Sequence, residues 1–220
     1  MDKVIYTAIF NDYDNLKKPH FVNEDYDYVL FTDEYTAKAQ NLSKQSMWDI
    51  RIVKGIRNKL EGLLKAKEIK INCHKFLPEY KSSVYIDASF IQLKDIKNFT
   101  EDNNYSFKVC NHPQRHCLYV EADVCARQRL GNMHGLSLQI EKYKKEEFPK
   151  NYGLYMGGIL GREHTEKCNK INDLWWEEIC NGSTRDQTSL PYVIWKLKEK
   201  IGTSDFDNHI LSVLQITLHK

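Results

Sequence analysis

Val4-Ile5-Tyr6-Thr7-Ala8-Ile9-Phe10, closed by Asn11-Asp12-Tyr13-Asp14-Asn15, is a β-branched and aromatic apolar run that stops on a turn-forming cluster. That is the pattern of a buried strand. Strand-like runs recur at 26–32, which ends at Asp33-Glu34, and at 48–53, with irregular or helical spacers between them. This rhythm predicts an α/β sheet. Over 56–71 the residues Ile56, Leu60, Leu63, Leu64 and Ile71 fall near helical spacing, interrupted by Gly62, and predict a helix with one apolar stripe. Val84-Tyr85-Ile86 is a compact strand that halts at Asp87-Ala88-Ser89 and resumes at Phe90-Ile91-Gln92-Leu93. A strand is expected over 105–109 and helices over 119–130 and 136–143. The glycine-rich run 153–161 reads as a strand or a tight bend where backbone approaches something closely. Helices are expected again over 163–180 and 191–200.

A chain of 220 residues suits one compact domain, and its 41% hydrophobic content is enough to pack a core. Lys and Arg outnumber Asp and Glu by 32 to 30, a net charge of +2 that supplies no field for nucleic acid or membrane binding. There is no apolar run of about 20 residues and no leader-like amino terminus, so a cytoplasmic protein without a transmembrane segment is expected. Six scattered cysteines in a chain of this size read as reduced thiols. The cluster Cys110-Asn111-His112 with His116-Cys117 lacks a CxxC knuckle, and its second half falls in an extended segment, which argues against zinc.

Four segments hold residues suited to chemistry. Asp87 ends a buried strand, the place where open α/β sheets gather ligands and where a carboxylate can hold a divalent cation against phosphate; a cap or turn role is the alternative. Lys67 and Lys70 share a helix face, with Lys59 about three turns earlier, a row that suits a diphosphate and equally a solvated surface. His112, Arg115 and Glu121 crowd before a helix, where they would recognise sugar hydroxyls or phosphate, or simply pack a loop. In 183–191, Thr184 with Gln187 fits a capping box, while Ser189 before Leu190-Pro191 offers another helix start. If the helix begins at Ser189, Asp186 and Gln187 lie in the preceding loop, free to face a pocket.

Taken in order, Tyr6-Thr7-Ala8-Ile9-Phe10, Asp27-Tyr28 with Phe31-Thr32-Asp33, Lys70 with His74, Tyr85-Ile86-Asp87, His112-Pro113 with Arg115, Tyr119 with Glu121-Ala122, and Arg185-Asp186-Gln187 carry a family resemblance along nearly the whole chain. The chain resembles the glycosyltransferase-like family with plant mucilage-related and bacterial members, and is similar to the amino-terminal domain of a chlorella-virus glycosyltransferase. The resemblance implies a single GT-A domain over 1–220, a Rossmann-like mixed sheet flanked by helices. A nucleotide-sugar-binding half would span about 1–95 and an acceptor-binding half 96–220. It implies transfer of a hexosyl or deoxyhexosyl group from a nucleotide-sugar donor, UDP-linked, to a glycan or glycoconjugate acceptor in polysaccharide biosynthesis, aided by Mn2+ or Mg2+.

On that resemblance, Thr7, Ala8, Ile9 and Tyr13 would meet the base and ribose. Lys70 would face the donor diphosphate together with Lys67, where the family tends to show arginine. Asp87, at the first position of an Asp-x-Asp-like motif, would bind metal or the donor ribose, with Ser89, a further donor contact, standing where the second carboxylate belongs. Gly157 and Gly158 would let backbone approach the donor sugar, His112 and Arg115 would contact acceptor or sugar, and His219 or His209 would complete the metal site. Asp186, Gln187 and Glu121 are the catalytic candidates. Related folds favour retention of anomeric configuration, whereas Glu121 or Asp186 as a general base would serve inversion. The departure at Ser89 keeps a second reading open, a catalytically inactive nucleotide- or carbohydrate-binding domain. A nucleotidyltransferase reading fails for want of a glycine-rich phosphate loop near the amino terminus.

Overall fold

A computed structural model describes residues 1–44, 47–97, 104–205 and 210–217. Strands β1 (Lys3–Ile9), β2 (Asp27–Thr32), β3 (Asp49–Ile52), β4 (Ser82–Ile86), β6 (Phe107–Asn111), β7 (Tyr155–Glu163) and β8 (Gly202–Ser204) form a seven-stranded sheet in the order β3-β2-β1-β4-β7-β6-β8. β7 runs antiparallel to both β4 and β6, while β1, β2, β3 and β4 are mutually parallel. A small antiparallel pair, β5 (Phe90–Gln92) with β9 (Leu214–Ile216), lies outside that sheet. The sheet is flanked by α1 (Glu34–Ala39), α2 (Lys59–Ile71), α3 (Cys73–Phe76), α4 (Leu118–Arg127), α5 (Met133–Lys145), α6 (Glu166–Asn181) and α7 (Leu190–Leu197). This is the mixed α/β architecture, Rossmann-like and of GT-A type, that the sequence implies.

The apolar run in β1 is explained by its two covered faces. Val4, Tyr6, Ala8 and Phe10 enter the main core, whereas Ile5 and Ile9 enter separate clusters on the other side. A parallel strand sandwiched this way has no reason to alternate polar with apolar residues.

The expected stripe on the second helix is corrected by the structure. Leu60 is 63% and Leu63 46% exposed, while Gly62, Ile69, Lys70 and Ile71 are buried. The helix starts at Lys59, because the Asn58 side chain accepts from the Glu61 N–H at 3.0 Å. Its inner face is chosen by close approach to the end of β1. A Cβ on Gly62 would collide with the Asn11 side-chain amide, which donates to the Asn58 carbonyl at 3.2 Å. The buried face therefore runs through Gly62, Ile69, Lys70 and Ile71, while Leu60 and Leu63 turn outward.

Other boundaries moved for local reasons. The glycine-rich run is a strand that continues to Glu163 and breaks register against β6, which pairs Val109 with Leu160 but Cys110 with Met156, and the following helix begins at Glu166 with Thr165 as its cap. The last long helix ends at Leu197, where Lys198 adopts φ 55°. β9 was not anticipated, and Thr217 beyond it ties the chain to the β4–β5 turn, its N–H and Oγ1 both donating to the Ser89 carbonyl at 2.7 and 2.8 Å. All six cysteines are free thiols, and no described helix is long and apolar enough to cross a membrane.

Candidate functional site

From β1 the chain moves outward to β2 and β3, then returns through α2 to β4 on the opposite side of β1. The carboxyl ends of β1 and β4 thus frame a topological switch point, the crevice where open α/β sheets take ligands. A cleft opens there, lined by Thr7, Lys17, Tyr28, Trp48, Asp87 and Phe90 among others. Thr7 is buried, and among the described residues its Oγ1 and the Trp48 Nε1 have no hydrogen-bond partner. Neighbouring Ala8 packs into the main core, Ile9 against Leu30 and Leu42, and Tyr13 stands exposed. Of the nucleoside-contact candidates, only Thr7 lines this cleft. Tyr28 and Trp48, set edge to face with centroids 5.3 Å apart, line it without having been singled out.

Asp87 follows β4 directly. Its Oδ1 accepts from Ser89 N–H at 3.1 Å and Ser89 Oγ at 3.0 Å, and its own N–H donates to the Gly158 carbonyl at 2.8 Å. Ser89, standing where a second carboxylate belongs, thus orients the Asp87 carboxylate instead. Among the described residues no three His, Cys, Asp or Glu side chains converge, while His219 and His209 lie outside them. One carboxylate and one hydroxyl form a hard-oxygen set suited to Mg2+ or Mn2+ only where substrate phosphates complete the shell.

On the other face of the sheet end sits a buried charge cluster. Lys70 Nζ donates to Asp186 Oδ2, and Lys67 Nζ lies 3.5 Å from Asp186 Oδ1. The side chains are only 8% (Lys70), 18% (Lys67) and 10% (Asp186) exposed. Helix side chains lean toward the helix amino terminus, which carries both ammonium groups up toward the strand ends. The Lys70 ammonium also rests 5.3 Å from the centroid of the Tyr85 ring. Lys59, the third member of the expected row, is exposed at the start of the helix.

Burial works to raise the Asp186 carboxyl, but Lys67, Lys70 and Arg185 outweigh it and hold the group well below the ordinary carboxylate range. Burial pulls the Lys67 ammonium downward, against the attraction of Asp186. Gly157 makes room for the pair, since a Cβ there would lie 2.5 Å from Lys70 Nζ and 2.7 Å from Asp186 Oδ2. At Gly158 a Cβ would lie 2.7 Å from the Phe90 ring. The two consecutive glycines therefore join the charge cluster to Asp87 through one stretch of β7.

Asp186 begins a 3-10 turn, Asp186–Thr188, that precedes α7. The helix starts after Ser189, so the second of the two boundary readings is the observed one. Trp175 fixes this turn: its Nε1 donates to the Asp186 carbonyl at 3.2 Å and to Ser189 Oγ at 3.1 Å. Gln187 accepts from Arg185 Nη2 at 2.7 Å. The turn packs against α4, which carries Glu121. Glu121 accepts from Arg115 Nε at 2.6 Å and from the Cys125 thiol at 3.6 Å. His112 Nδ1 accepts from the N–H groups of Gln114 and Arg115, each at 3.1 Å. Burial, then the Arg115 charge, lowers the His112 imidazole below its ordinary range. His112, Arg115 and Glu121 are thus one connected group, beside rather than within the lysine cluster. Trp175 gave no signal in sequence beyond being a large helical aromatic.

The family model described as TOD1/MUCI70, glycosyltransferase-like domain, matches residues 1–215. Among curated proteins, the Arabidopsis thaliana protein named probable hexosyltransferase MUCI70 is 24% identical over 222 residues, covering 90% of this chain. The chain spans 38% of that relative's length.

Proposed function

The chain belongs to the TOD1/MUCI70 glycosyltransferase-like family, and from that membership we propose that it transfers a hexosyl or deoxyhexosyl group from a nucleoside-diphosphate sugar, UDP-linked, to a hydroxyl of a glycan or glycoconjugate. The observation that carries this reading is the pair of buried lysines at the switch point, beside Gly157 and one residue along β7 from the Gly158 carbonyl that holds Asp87. Two preorganised ammonium groups, each mostly shielded from water, would stabilise a diphosphate as it leaves with the glycosidic bond electrons. In this reading residues 1–95 hold the donor, with Thr7 and the Tyr28–Trp48 rings along the nucleoside. Residues 96–220 supply the acceptor side, where Arg115 and His112 offer hydrogen bonds. Asp186 steadies the oxocarbenium-like centre on the reacting sugar, favouring retention. Asp87 and Ser89 would hold Mn2+ or Mg2+, which supplies charge neutralisation on the departing diphosphate.

A thermal-shift series with UDP, GDP, CMP and their sugars, with and without manganese, tests this reading, because a ligand of the folded state raises the unfolding temperature. A manganese-dependent rise with UDP that is absent in Asp87→Ala is expected. No rise with any nucleotide would overturn the donor site. A rise unaccompanied by sugar transfer would favour the binding-domain alternative, for which the single carboxylate of the Asp87-Ala88-Ser89 segment is the supporting observation.

A further inference from the structure

Two lysines and one carboxylate meet beside Gly157, and both carboxylate oxygens face an ammonium group. A diphosphate seated on Lys67 and Lys70 would meet a carboxylate already there, and like charges in a poorly solvated site repel strongly. The backbone of Asp186 is fixed, because Trp175 Nε1 holds its carbonyl and Thr188 and Ser189 close the turn onto Arg185 and Asp186. The side chain, by contrast, is held by Lys67 and Lys70, and those are the groups a diphosphate would take.

Resting on the donor reading above, we propose that Asp186 is a built-in competitor for the donor diphosphate. Lys67 and Lys70 pair with Asp186 until a diphosphate takes them, and the displaced carboxylate is then released to the reacting sugar. The arrangement makes one side chain lower donor affinity and serve transfer at the same time. It also orders the steps, since the carboxylate is free only when the leaving group is in place. Gly157 fits this role: lacking a Cβ, it leaves the space into which both groups point.

The test is isothermal titration of UDP and of inorganic pyrophosphate, each with and without Mn2+, into the wild-type chain and into Asp186→Asn, beside a measurement of sugar transfer. The amide variant removes the competing charge while nearly keeping the shape, so both probes should bind about tenfold more tightly while transfer falls. Asp186→Ser, measured in parallel, carries the same expectation and covers a failure of the amide variant to fold. Asp186→Glu keeps the charge and should stay near the wild-type affinity, which separates competition from a general loosening of the turn. Weaker or unchanged binding in the uncharged variants overturns the proposal while leaving the donor site standing. If the wild-type chain binds neither probe, the donor reading falls and the competition falls with it.

Discussion

Lys70 illustrates how residue type and residue role separate. Its spacing three residues after Lys67 places both on one helix face, which sequence alone provides, but lysine is among the residues least often buried. Its partner Asp186 lies 116 positions away, beyond anything local pattern can connect. Once buried and paired, the ammonium donates a charge-assisted bond of the kind that binds phosphate well. Lys70→Ala is therefore expected to weaken UDP binding by roughly 10- to 100-fold, the range of one to two charged hydrogen bonds. Titration calorimetry reads this directly, and an unchanged dissociation constant would remove Lys70 from the donor site. Asp87 was legible because a carboxylate interrupts an apolar run, and Trp175 was illegible because its function is a single N–H aimed at a distant backbone carbonyl.

Helix α2 shows the same division for an element. Its existence followed from periodicity, yet its inward face did not, because the sheet-facing positions include Gly62 and Lys70 while two leucines face solvent. Its amino-terminal boundary rests on Asn58, whose side chain accepts from Glu61 N–H while Glu61 Oε1 accepts from the Asn58 amide at 3.1 Å. Asn58→Ala should cost about 1 kcal/mol, lowering the unfolding temperature by roughly 2–4 °C in a chain of this size. Calorimetry of the variant checks it, and a shift under half a degree would mean that packing alone sets the helix start. Strand β9 could not be read at all: three residues, Leu214–Ile216, become a strand only because β5 offers an edge to pair with.

Across the whole molecule, the core beneath the sheet encloses a guanidinium among its apolar residues. Arg162 is buried, donates to the Ile71 carbonyl at 3.0 Å and to the Tyr6 hydroxyl, and lies near His164. Burial, then the Arg162 charge, pushes the His164 imidazole down from 6.5 to about 4. The folded state thus resists protonation that the unfolded chain accepts. The associated stability is complete above pH 6.5 and is lost as pH falls toward 4, by up to about 3 kcal/mol. Denaturant unfolding between those limits should show a slope that His164→Gln removes; equal slopes in both proteins would assign the acid sensitivity elsewhere.

The α/β class, the main strands and the strand-end carboxylate are legible along the chain because buried strands and helix periodicity are written in local hydrophobicity, and the family resemblance is legible in the order of the motif residues. Which face of α2 turns inward, the closing of Lys67 and Lys70 on Asp186 and the anchoring of Thr217 beside Ser89 emerge only on folding. Those outcomes depend on close approach and charge pairing between residues far apart in the chain, where no local pattern records which partner a side chain will meet.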